Sequence, residues 1–251
     1  MTLRSLLTAL AALPLVATAP VLADTLKTDC PPEALGTARV LTLGPEAGQA
    51  YGSVQHPRLP LKPHEVVLTF DDGPRPDTTP EVLNALKAEC VKATFFMTGD
   101  AVTQYPDLAR LVVSDGHTAG MHSYKHDNMT ALSPEAQKED LKTTQAALKA
   151  TLGADAAPFY RFPYLGQTEH LLAEAKAQGI TVFSIDAAAN DWEAGETAVS
   201  VTNRLMNNLA TSKGGIILLH DWQPVTAEAM PMILKALKDQ GYKVVHVNWT
   251  R

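Results

Sequence analysis

The feature that most restricts this chain is an alternating string that starts at Glu65. Short apolar runs rich in β-branched and aromatic residues take turns with longer segments that open on helix-start signals. Val66-Val67-Leu68-Thr69-Phe70 is the first run, and 92–97, 117–121, 159–161, 181–185, 215–219 and 242–247 follow it. Each predicts a buried strand. Helices are predicted between them at 79–89, 105–114, 133–152, 169–178, 197–210 and 224–240. Pro80, Pro106 and Pro134 sit at tolerated first-turn positions, and Ser133 is an N-cap candidate. Strand and helix alternate about seven times, so the expected fold class is α/β with a parallel sheet covered by helices.

An open sheet and a barrel would produce similar strings. The polar residues favour the barrel. Asp71-Asp72, His122, Arg161, Asp186 and His220 each stand just after an apolar run. In a barrel those strand ends converge on one face, where catalytic groups collect; an open sheet would spread them apart.

The segment before the repeat is of another kind. Arg4 is the only charge before Asp24, and an apolar stretch broken by Pro14 and Pro20 lies between them. Residues 1–23 are expected to be a secretory signal peptide cleaved near Ala23. Residues 24–62 are expected to form an irregular N-terminal arm, with one short strand at 38–43, and 63–251 the catalytic domain. The expected location is therefore outside the cytoplasm, periplasmic or secreted, with no stable membrane insertion after cleavage. There Cys30 and Cys90 could bridge; two buried free thiols are the alternative. The 251 residues carry 21 Lys and Arg against 27 Asp and Glu, a net charge of −6. No basic run stands out, which argues against nucleic acid as a partner. There is no G-x-G-x-x-G, Walker loop or G-x-S-x-G elbow.

Five clusters could carry chemistry. In Thr69-Phe70-Asp71-Asp72-Gly73-Pro74, two adjacent acids end a buried strand, so they need a cation or hydrogen bonds to offset burial. One could bind a metal while the other serves as a base. In His122-Ser123-Tyr124-Lys125-His126, two histidines four apart could share one face of a helical turn, a spacing that suits zinc. The Glu of an H-E-x-x-H protease is missing, so a base must come from Asp71 or Asp72. Arg161, in Tyr160-Arg161-Phe162-Pro163-Tyr164, could fix a carboxylate in one orientation. Asp191-Trp192 and Leu218-Leu219-His220-Asp221-Trp222 complete the set, with His220 a candidate general acid if an acid stands beside it.

The order of these clusters resembles the five motifs of the polysaccharide deacetylases, carbohydrate esterase family 4 or the NodB homology domain. The resemblance runs from about Glu65 to Val247. It implies a distorted (β/α) barrel with seven or eight mostly parallel strands. It implies a divalent metal, zinc in the first instance with Co2+ or Ni2+ as other fitting ions, held by Asp72, His122 and His126. Asp71 would be the general base and Arg161 its orienting partner. His220 would protonate the leaving amine, tuned by Asp191. The backbone N–H of Tyr164 would hold the oxyanion. Pro163, Tyr164, Trp192 and Leu218 would border the substrate. Two departures stand out. Four residues separate Asp186 from Asp191, where the family usually has two, and Leu165 intervenes between Tyr164 and Gly166.

The expected function is therefore metal-dependent deacetylation of N-acetylated amino sugars in a chitin-like or peptidoglycan-like glycan, by a monomer. An O-acetyl esterase on acetylxylan, and a non-catalytic glycan-binding protein on the same scaffold, are the alternatives.

Overall fold

The computed structural model describes residues 30–44 and 49–250. The expected leader, 1–23, lies outside the described residues. Within the expected irregular arm, two segments join the sheet: β1 (Thr37–Leu43) and β2 (Ala50–Tyr51). β1 covers the strand expected at 38–43. Its inward and outward residues alternate in burial, as an edge strand requires, and β10 (Lys243–Trp249) supplies the ladder beside it.

The repeat then proceeds as β3 (Glu65–Asp71), α1 (Thr79–Ala88), β4 (Thr94–Met97), α2 (Gly99–Gln104), α3 (Pro106–Ser114) and β5 (Thr118–Met121). It continues as α4 (Pro134–Leu152), β6 (Ala156–Tyr160), α5 (Glu169–Ala177), β7 (Thr181–Phe183) and β8 (Ala187–Ala188). It ends as α6 (Ala198–Ser212), β9 (Gly215–His220), α7 (Pro224–Asp239) and β10. α2 was not expected. It is a short helix capped by Thr98, whose side chain accepts from the Ala101 N–H, and it turns the chain directly off the end of β4. The predicted cap at Ser133 is present on α4.

All described strand pairings are parallel. From β3 the ladder passes through β4, β5 and β6 to β7. On the other edge of β3 lies β9, matched from Val66↔Gly215 to Asp71↔His220, and β8 pairs with β9. β7 and β8 are one continuous stretch of chain. Its first part bonds to β6 and its last part to β9. Covalent chain rather than a ladder therefore carries the circuit across residues 184–186.

Strand periodicity sorts the core into two layers. Val66, Leu68 and Phe70 of β3 face one apolar cluster together with Leu86, Phe95 and Ile233, on the helix side. Val67 faces a second cluster with Phe96, Phe159, Phe183 and Ile216, inside the ring of strands. Continuing the inward parity along β3 gives Thr69 and Asp71, along β6 it gives Arg161, and along β9 it gives Leu218 and His220. The inner face is thus apolar low on the strands and polar where they end. Cys30 and Cys90 form a disulfide, which ties the start of the described chain to the turn between α1 and β4.

Candidate metal and acid–base centre

Asp71, Asp72, His122, His126 and His220 line one hollow of about 500 Å3 at the C-terminal ends of the strands. Asp71 ends β3 and is buried. Its Oδ1 accepts from Arg161 Nη1 at 2.7 Å, while its Oδ2 stands 3.6 Å from His122 Nε2. Arg161 has no exposure at all. Besides Asp71 it donates to Thr69 Oγ1 at 2.7 Å and to the Ser184 carbonyl at 3.2 Å, and its guanidinium lies 4.3 Å from the centre of the Phe96 ring. Burial lowers its pKa and Asp71 raises it. Losing either member of this pair would leave a buried charge without a partner.

Asp72 is in the left-handed region at φ 74. That turn swings its carboxylate away from the direction of Asp71, so two neighbours in sequence face different partners. Its Oδ1 stands 3.3 Å from His122 Nε2 and 3.3 Å from His126 Nε2. Oδ1 is also buried with no hydrogen-bond partner. Burial pushes the Asp72 pKa up, but His122, His126 and His220 outweigh it and hold the group well below the usual carboxylate range. His122 Nδ1 lies 2.8 Å from the Arg161 carbonyl, which makes Nδ1 the donor and leaves the lone pair on Nε2. Burial lowers the His122 pKa, while Asp71 and Asp72 raise it further than burial lowers it. His126 goes the other way, and burial leaves its pKa lowered.

These three groups fit a divalent metal. Asp72, His122 and His126 each offer one ligand atom, all within 4.8 Å of one another. Two ligands about 2.0–2.1 Å from a tetrahedral ion sit about 3.3–3.4 Å apart, which is the Asp72–histidine spacing. An orphaned carboxylate oxygen and an imidazole with its outer nitrogen already hydrogen-bonded are the marks of such a site.

One local expectation is corrected. His122 and His126 do not share a helical turn. They are joined by a bent loop in which Ser123 and His126 are both left-handed, each at φ 61. The His126 N–H bonds to Ser123 Oγ, and the Tyr124 N–H bonds to the Asp140 carboxylate of α4. Those side-chain acceptors hold the loop, and the loop aims both imidazoles at Asp72.

His220, at the end of β9, lies 2.8 Å through Nδ1 from Asp191 Oδ1, and its own N–H bonds to Asp191 Oδ2 at 2.7 Å. Thr226 of α7 also donates to Asp191 Oδ2. Burial lowers the His220 pKa, but Asp191, then Asp71 and Asp72, raise it to about 9. The Trp192 ring stands edge-on to His220, centroids 5.3 Å apart. Trp192 and Leu218 both line the hollow, as does Tyr164, whose exposed ring packs against His126 at 4.5 Å. Pro163 is buried and does not line the hollow; Phe162 and Leu165 are there instead. The extra Leu165 is accommodated because it and Tyr164 are both left-handed, at φ 53 and φ 56.

Asp186 is outside this group. It sits beside the start of β9, accepting from the Ile216 N–H at 2.8 Å, the Ser53 N–H at 3.0 Å and Arg58 Nε at 3.0 Å. It fastens the β7–β8 crossing, which explains why its spacing to Asp191 is free to differ. Sequence reasoning assigned no function to Trp222, Thr226 and Asp221. Asp221 is buried, accepts from the Gly73 N–H and Thr79 Oγ1, and is pushed by burial to about 7. Trp222 had a visible signal, an aromatic residue two positions after a strand-end histidine.

An α/β ring with an Asp-His-His cluster able to hold a metal ion and an Asp-paired histidine at its strand ends is a scaffold suited to a hydrolase. The polysaccharide deacetylase family profile matches residues 58–183. A peptidoglycan-N-acetylglucosamine deacetylase of Listeria monocytogenes is 34% identical over 199 residues, covering 78% of this chain and 41% of that protein. A chitooligosaccharide deacetylase of Azorhizobium caulinodans is 31% identical over 176 residues, covering 70% of this chain and 82% of its own length. Among solved structures, a peptidoglycan deacetylase of Bdellovibrio bacteriovorus superposes with a TM-score of 0.77 at 30% identity, covering 85% of this chain and 59% of the other. This chain belongs to the polysaccharide deacetylase family. It spans less than half the length of the Listeria relative it matches.

Proposed function

We propose that this protein hydrolyses the acetamide of N-acetylated amino sugars within a glycan, releasing acetate, with zinc at Asp72, His122 and His126. The observation that carries the reading is the division of labour between two adjacent acids. Asp72 Oδ1 is orphaned between two imidazoles, while Asp71 is clamped by Arg161 through one oxygen only. A divalent ion there supplies a Lewis acid that acidifies water and polarises a carbonyl.

The remaining steps belong to side chains of this chain. With Oδ1 fixed by Arg161, Asp71 Oδ2 is left to take a proton from water at the floor of the hollow. His220 has Nδ1 held by Asp191, so its Nε2 delivers a proton to the departing nitrogen. The backbone N–H of Tyr164 is the oxyanion donor, and Leu218 and Trp192 enclose the acetyl methyl. The names of the Listeria, Azorhizobium and Bdellovibrio relatives support an N-acetylated glycan as substrate. Export by a cleaved leader and action on a wall or extracellular polymer belong to the same proposal. No helix among the described residues is long and apolar enough to cross a membrane.

The test is a substrate panel with purified, zinc-loaded protein. Acetate release from N-acetylglucosamine oligomers or peptidoglycan glycan is the expected result. Release from acetylxylan alone would make the protein an esterase, and binding without release would make it a glycan-binding protein.

A further inference from the structure

Asp72 divides its two oxygens between different neighbours. Oδ1 faces His122 and His126, and Oδ2 accepts from the indole Nε1–H of Trp222 at 2.9 Å. Among the hydrogen bonds to the Asp72 carboxylate, this one comes from outside the ligand cluster. It selects which oxygen points at the imidazoles, and it lowers the chance that the carboxylate rotates to offer both. Outer partners of this kind orient metal ligands and tune affinity.

The other parts of Trp222 face outward. The residue is 40% exposed, and it borders three adjoining hollows. The first is the hollow of about 500 Å3 that holds Asp71 and His220. The second, about 220 Å3, is reached past His126 and includes Arg75, Asp100 and Lys125. The third, about 200 Å3, includes Arg75 and Tyr105. Trp222 is the one residue shared by all three. An exposed indole on a ridge between hollows presents an apolar face to the apolar face of a pyranose ring, as aromatic side chains with one wet edge commonly do. A single sugar would occupy the first hollow and leave the other two unfilled; a glycan chain running from the first hollow into either of the others crosses Trp222.

We infer that Trp222 is a positioning residue with two edges: its N–H sets the metal affinity by orienting Asp72, and its ring carries the sugar next to the one being deacetylated. The second half rests on the glycan reading above; the first half does not.

The experiment uses the full chain with Trp222→Phe and Trp222→Ala. Metal affinity is read without turnover, by competing Zn2+ away from the protein with a chromogenic chelator. Both variants lack the indole donor, so both are expected to bind Zn2+ about tenfold to a hundredfold more weakly. Glycan binding is read by calorimetry of N-acetylglucosamine dimer and pentamer on protein saturated with Zn2+. W222F keeps a ring and is expected to keep the preference for the pentamer, whereas W222A is expected to lose it. Unchanged Zn2+ affinity in W222F overturns the first half. A pentamer preference that survives in W222A overturns the second. If the wild-type protein binds neither N-acetylglucosamine oligomers nor peptidoglycan glycan, the glycan reading and the second half fall together, while the Zn2+ measurement still decides the first.

Discussion

β5 has a histidine at each end, and the two are opposites. His117 precedes it and His122 follows it. Both are buried. At His117 a backbone N–H, from Ala93, points at Nδ1 at 3.1 Å and makes that nitrogen an acceptor. At His122 a backbone carbonyl, from Arg161, makes the same nitrogen a donor. Burial, aided by Lys92 and His246, drives the His117 pKa down to about 3. At His122 the carboxylates of Asp71 and Asp72 overcome burial. His246 joins His117 at the base of the strands, 2.9 Å from Thr118 Oγ1, and burial takes it to about 4. A buried histidine is therefore not informative by itself. What distinguishes a ligand from a core residue is the sign of the groups around it and the tautomer that the backbone imposes.

Breaking the mouth should have the largest effects. His122→Ala is expected to reduce bound zinc to background in elemental analysis and acetate release with it, whereas His117→Gln should leave both near wild type. A His122→Ala protein with full zinc stoichiometry would remove the contrast. Asp71→Asn comes next, with kcat lower by about 10²–10⁴-fold and zinc still bound, because the base is lost and the ligands are not. Full turnover in that variant would transfer the base assignment elsewhere.

The base of the molecule should be read through stability instead. An unfolded histidine takes up its proton near pH 6.5, while folded His246 and His117 wait until about 4 and about 3. Between those values the unfolded chain binds more protons. Stability is thus lost as pH falls from 6.5, by about 1.4 kcal/mol per pH unit for each histidine. Urea unfolding midpoints at pH 7, 6, 5 and 4 check the slope. The smallest effect is that of His246→Gln, which keeps a polar group near Thr118 and is expected to remove about half of that acid slope without changing turnover. A slope untouched by the substitution would mean that His246 titrates alike in both states.

The parts legible in the sequence were those governed by short-range periodicity. The continuous run 66–70 could only be a buried strand, and stepping inward by two along β3, β6 and β9 lands on Asp71, Arg161 and His220. The site's inward geometry is thus a parity statement about strands, available before any coordinates. Loop conformation was not available. Left-handed backbone at Ser123, Tyr164 and Leu165 is imposed on residues that do not favour it, and Asp72 and His126, of types that tolerate it better, adopt it too. Such strain persists only where surrounding contacts over-determine it, here the Asp140 carboxylate under Tyr124 and Gln55 on the Leu165 carbonyl. Those partners are 16 and 110 residues away, so no local pattern announces them. β8 is only two residues long, and α2 lacks a long apolar period; both exist because neighbours bond to them. The division of Trp222 between a carboxylate and a ridge is likewise a tertiary fact, although the residue itself stood in plain view after His220.

The Cys30–Cys90 disulfide has a consequence for how the molecule can be approached. Cys90 precedes β4, so it lies at the start of a strand whose far end opens on the hollow. Cys30 is held to that same underside. The disulfide therefore fastens the pole opposite the mouth. A cross-link placed there braces the fold without bordering the hollow.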